Sequence, residues 1–318
     1  MKFLKKIKLE YNTKLFNDFL TNKKYDSAYK FILDLKEKDQ IDFFLFLKDC
    51  HNKLIDLPHD FYKKKIVWTL SYDLRDVSFI NKFLKLYLPK NSKTTFDYKN
   101  YANSLSEYFA RYHLEHQNDK VTFNDIMHYS SLYQNLLLFD CNKEFLFLES
   151  CASFFEASQK QYFTNTNITN CYFYVVANPE TLYSRYKKIY DSSEASFNEI
   201  FNFTDESFLN PDQGDQKLKV FENRTNLNTN IKSWTDFNVK STYKGKIISY
   251  QRLVEETEDV LTEILFHLKQ FNFDLEINVE DIKNFISTND VFEKNEHELS
   301  KNEKKILNRN LDQSIDFT

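Results

Sequence analysis

Apolar residues recur at helical spacing through the opening of the chain: Leu15, Phe16, Phe19 and Leu20, then Ala28, Tyr29, Phe31, Ile32 and Leu35, then Phe43, Phe44, Phe46 and Leu47. Short polar breaks separate these groups, so residues 13–55 read as a small set of packed helices. Such an element more often docks or caps than catalyses. Leu57-Pro58-His59-Asp60 marks a boundary, because Pro58 disfavours helix in the residue before it.

Beyond this boundary the pattern changes to short apolar runs, each followed by a helix-like stretch. The runs predict strands at 66–71, 145–148, 172–176 and 246–249, and the stretches predict helices at 77–88, 101–117, 124–139, 180–190 and 253–271. In the last helix, Leu253, Leu261, Ile264, Leu265 and Leu268 form an apolar stripe. Residues 203–230, rich in Asn, Asp and Thr with Pro211 and Gly214, read as a long surface loop. The tail over 293–318 is rich in Lys, Glu and Asn and reads as a terminal helix with a solvated face. Alternation of strand and helix predicts an α/β fold, a central mainly parallel sheet flanked by helices. The expected organisation is an N-terminal helical extension (1–62), the α/β domain (63–292) and a helical tail (293–318).

Composition changes this picture little. The chain has 318 residues, of which 42% are hydrophobic and 28% charged, the balance of a globular protein. Its 32 Phe and 20 Tyr accompany many Lys and Asn and only 2 Gly, so the aromatics read as core and half-buried surface and not as a cofactor box. A net charge of −4 with interleaved signs argues against nucleic acid as a partner. The basic run Met1–Lys8 has no apolar segment after it, and the best apolar run, Tyr133–Phe147, is cut by Asp140, Asn142, Lys143 and Glu144, so neither a secretory signal nor a membrane span is expected. Cys50, Cys141, Cys151 and Cys171 lack metal or disulfide spacing, which fits a reducing, cytoplasmic setting.

Chemistry is sparse. With only Gly214 and Gly245 there is no glycine-rich phosphate loop and no nucleophile elbow, so a dinucleotide oxidoreductase, a typical NTPase or an α/β-hydrolase is not expected. His113, His116 and His128 have no carboxylates in a metalloprotease arrangement and read as ordinary histidines.

Four segments in series nevertheless carry a resemblance. They are Ile66–Leu84, Phe145–Ser153, Cys171–Tyr186, and the pair Asn230–Asp236 with Lys246–Leu253. In this order they resemble the sulfotransferases that use 3′-phosphoadenosine-5′-phosphosulfate (PAPS), over roughly residues 64–290. The resemblance implies a sulfotransferase-like P-loop fold, with PAPS as co-substrate and a small-molecule or glycan hydroxyl or amine as acceptor. It assigns the phosphosulfate to the turn and helix start at Ser71–Ser78, through Arg75 and Ser78, with Ser184 and Arg185 near the 3′-phosphate. It puts Glu149 and Cys151 near the acceptor, where the family has the Lys and the basic His of a Lys-Thr-His strand end. The motifs are altered: Asp76 brings negative charge to the anion site, and Ala177 stands where the family has an Arg. Three readings follow: a PAPS-dependent sulfotransferase, an inactive relative that binds a protein partner through residues 13–55, or a mostly helical interaction protein.

Overall fold

The computed structural model of the protein describes residues 2–38, 65–100, 134, 137–138, 140–150, 156–157, 160–161, 168–176, 178–182, 227–289, 299–312 and 314–315. The chain opens with helices α1 (Lys2–Thr21) and α2 (Tyr25–Lys38). Phe16, Ala28 and Ile32 are fully buried, and Phe19 meets the edge of Phe31 at 6.1 Å. Lys23 closes α1 in the left-handed conformation (φ 55°), while the Lys24 and Lys23 amides donate to the Phe19 and Leu20 carbonyls at 2.8 and 3.0 Å. That pair of bonds is a Schellman closure, with a lysine where glycine is the usual choice.

The sheet contains β1 (Lys65–Ser71), β2 (Phe96–Asn100), β3 (Phe145–Ser150), β4 (Thr169–Val176) and β5 (Gly245–Ser249). Its order is β2-β3-β1-β4-β5 and every pairing is parallel. The central strand β1 is buried almost throughout, as the unbroken apolar run Ile66–Trp68 and Leu70 requires of a strand covered on both faces. Val67, Phe147, Phe173 and Val175 share one face with the core that α3 (Leu74–Asn91) and later helices complete. On the opposite face, Tyr172 and Tyr174 meet α4 (Leu227–Thr235): the Tyr172 hydroxyl donates to the Trp234 carbonyl, and Tyr174 donates to Asn230 Oδ1 at 2.7 Å.

After α4, the short α5 (Phe237–Thr242) is capped by Asp236, and the chain enters β5. Helices α6 (Tyr250–Glu255), α7 (Thr257–Gln270) and α8 (Val279–Thr288) follow, and Leu261, Ile264, Leu265, Ile282 and Phe285 join the core below the sheet. Helix α9 (Lys301–Asn310) starts with a reciprocal capping box between Ser300 and Glu303 and buries Leu307. No described helix is long and apolar enough to cross a membrane.

The α/β class, the parallel sheet and the four predicted strands hold, and the mostly helical architecture does not, since five paired parallel strands run through the described core. Three details differ. Strand β2 at Phe96-Asp97-Tyr98-Lys99-Asn100 was not expected, because an edge strand with one solvated face carries polar alternate positions. The predicted 253–271 helix divides at Glu256, whose backbone (φ −121°, ψ 41°) ends α6 and starts α7. The predicted loop 203–230 is helical from Leu227 onward. The predicted helix 101–117 and residues 203–226 lie outside the described residues, as do most of 124–139 and 180–190.

Candidate functional site

In an open parallel sheet, ligands are taken up beyond the carboxyl ends of the strands, where neighbouring strands send their connections to opposite sides. The order β2-β3-β1-β4-β5 puts that point between β1 and β4: β1 continues past β3 to β2, while β4 continues to β5 on the other side. The residues leaving these two ends form the candidate site.

Strand β1 ends at Ser71, and Tyr72 and Asp73 turn the chain into α3. Asp73 is the N-cap, accepting from the Arg75 amide at 3.0 Å. The Arg75 guanidinium folds back onto the same carboxylate, with Nε at 3.0 and 2.8 Å from its two oxygens. Asp76 follows in the first helical turn, only 2% exposed, and its Oδ2 accepts from the Ser71 hydroxyl at 3.2 Å. The amino end of a helix favours a negative charge, so the fold tolerates this buried carboxylate here. Burial pushes the Tyr174 phenol well above its ordinary value, and the nearby Asp76 charge adds to the effect. Tyr174 therefore keeps its proton and remains a donor to Asn230.

On the other side of the crevice, β4 ends at Val176 and the chain turns at Asn178-Pro179. Asn178 Oδ1 accepts from the amides of Glu180 and Thr181 at 2.9 and 3.1 Å, and Pro179 takes the first helical position, where a missing N–H costs nothing. At the end of β3, Glu149 accepts from Asn81 Nδ2 of α3 at 2.6 Å.

The residues expected from sequence divide accordingly. Arg75 stands at the crevice with its side chain 39% exposed, bound to Asp73. Ser78 is exposed on α3, and its hydroxyl donates to the Arg75 carbonyl at 2.7 Å. Glu149 lies on the neighbouring strand end and pairs with Asn81, not with Arg75's partner. Cys151, Ser184 and Arg185 lie outside the described residues. The pair Ser71–Asp76 and the residue Asn81 were not expected from sequence. A signal for Asn81 existed, since it is the one amide within the buried stripe Val77, Ile80, Leu84 of α3. Of the cysteines, Cys171 is buried within β4, and burial pushes its thiol up to about 12, which makes it a poor nucleophile.

Fold and site together define an α/β protein with an all-parallel five-stranded sheet and a polar crevice at its topological switch point. Compared with known proteins, the chain matches no family model and no curated protein.

Proposed function

We propose that residues 65–289 are a sulfotransferase-like P-loop scaffold whose anion site is filled by the chain's own carboxylate, so that the protein acts as a binding module and not as a sulfuryl transferase. The observation that carries this reading is Asp76. Its carboxylate is buried in the first turn of α3, bonded by Ser71, at the helix start where the resemblance would seat the phosphosulfate. One negative charge satisfies such a helix start, and a second group with several charges would meet like-charge repulsion from a carboxylate that water barely screens. Arg75, the nearest cation in sequence, is engaged by Asp73.

The strand-turn-helix at β1–α3, the all-parallel sheet and the Asn178-Pro179 cap opposite support the scaffold half of the proposal. The binding half falls to the N-terminal helices, where Ile7 and Tyr11, one helical turn apart on α1, are 47% and 65% exposed. Apolar side chains held in water on one helix face suit a protein partner.

Calorimetric titration of the full chain with 3′-phosphoadenosine 5′-phosphate tests the proposal. The expected outcome is no saturable heat at millimolar nucleotide. Saturable binding that Arg75→Ala weakens would instead favour transfer from PAPS to a hydroxyl or amine acceptor, a reading supported by the partly exposed Arg75 at the crevice.

A further inference from the structure

On the sheet face covered by α3, away from the Asp76 crevice, lies an open cavity of about 40 Å³. Its wall includes Asn81 and Lys85 of α3, Tyr98 and Lys99 of β2, and Glu149 of β3. Two polar atoms in this wall, Asn81 Oδ1 and Tyr98 Oη, are buried without a hydrogen-bond partner among the described residues. Asn81 as a whole is 5% exposed. Folded proteins rarely leave such atoms unpaired, so a cavity that gathers two of them is built to receive something polar.

The orientation of the Asn81 amide follows from its neighbour. A carboxylate only accepts, so the amide nitrogen faces Glu149 at 2.6 Å and the carbonyl oxygen is the atom left over. The cavity therefore presents an acceptor from Asn81. Burial raises the Tyr98 phenol above its ordinary value, so it keeps its proton and can donate. Tyr98 is also stacked on Phe147 at 4.9 Å, which fixes its ring.

Charge selects among ligands. A cation would meet the Lys85 ammonium, which already stands 5.4 Å above the Tyr98 ring, and a second lysine at Lys99. An anion would meet the Glu149 carboxylate and an amide whose donor side is engaged. A neutral hydroxyl group meets neither obstacle, because it donates to one unpaired atom and accepts from the other.

We propose that this cavity binds a vicinal diol, as in a small polyol or one edge of a sugar, with one hydroxyl donating to Asn81 Oδ1 and accepting from Tyr98 Oη. The site is independent of the nucleotide reading and stands whichever way the nucleotide titration falls. Its test is a heteronuclear NMR titration of the full chain with erythritol, with ethylammonium and propionate as charged probes of comparable size. Erythritol is expected to give saturable shifts at the amides of Asn81, Lys99 and Glu149, and the charged probes none. Tyr98→Phe keeps the ring on Phe147 and removes only the hydroxyl, and is expected to weaken erythritol about tenfold, the loss of one hydrogen bond. If that variant does not fold, Lys85→Ala at the exposed mouth is expected to weaken binding severalfold. The proposal is overturned if erythritol gives no saturable shift, leaving ordered water as the occupant. It is equally overturned if the folded variant binds erythritol as wild type does, or if ethylammonium saturates the same amides.

Discussion

Lys23, Lys244 and Asn272 all adopt positive φ, at 55°, 53° and 71°, in a chain that has only 2 Gly. A side chain in the left-handed region is strained against the following carbonyl, so replacing Lys23 by Gly at the α1 closure is expected to stabilise the protein by about 0.5–1 kcal/mol, measured as a higher urea midpoint at unchanged slope. The remaining glycine in the described core has the opposite role. A Cβ on Gly245 would fall inside the ring of Tyr172, which is fully buried and bonded to Trp234. Gly245→Ala is therefore expected to cost about 1–3 kcal/mol, and the same denaturation experiment reads it. At this scale sequence reasoning reached only half of the site. Arg75 and Glu149 were found through the resemblance, but their partners differ in kind. Asp73 is two positions from Arg75 and thus visible locally, whereas Asn81 meets Glu149 across 68 positions and only the folded sheet joins them.

Among the elements, the buried strands were legible because a strand covered on both faces is an uninterrupted apolar run. Edge strand β2 was not, since Asp97 and Lys99 alternate with Phe96 and Tyr98 and lower its mean hydropathy. The joint between β5, α6 and α7 depends on polar contacts that no periodicity reports. Glu263 of α7 accepts from Lys246 of β5 at 2.6 Å and from Arg252 of α6 at 3.0 Å. These two bonds, Lys246 first, hold its carboxyl below the usual carboxylate range. A carboxyl with a lowered pKa in the folded state contributes stability above its unfolded value and loses it as pH falls through the folded one. The three side chains are about one-third or more exposed, so the contribution stays small. Glu263→Gln is expected to lower stability by under about 1 kcal/mol near neutrality. The gap between variant and wild type should close as the medium is acidified below the carboxylate range, and shrink in added salt.

For the molecule as a whole, the tail is fastened at several points. Leu299 and Leu307 are buried, Lys304 approaches Glu180 at 3.6 Å, and Asp312 pairs with Lys232 of α4 while its amide donates to Asn228 at 3.1 Å. Removing residues 299–318 is expected to lower the melting temperature by several degrees, since two buried leucines are worth roughly 3–6 kcal/mol together before relaxation. A thermal scan by circular dichroism checks this.

The central strand carries a different consequence. Thr69 of β1 bonds to Leu148, 79 positions later, and Trp68 to Thr169, 101 positions later. Neither neighbour of β1 exists when β1 first leaves the ribosome, and its apolar run has no local strand to pair with. Assembly must wait for two long closures of the chain, so refolding is expected in the slow range of non-local topologies, milliseconds to seconds. Until then, Ile66–Leu70 is the stretch most exposed to association with other chains, and refolding yield should fall as protein concentration rises.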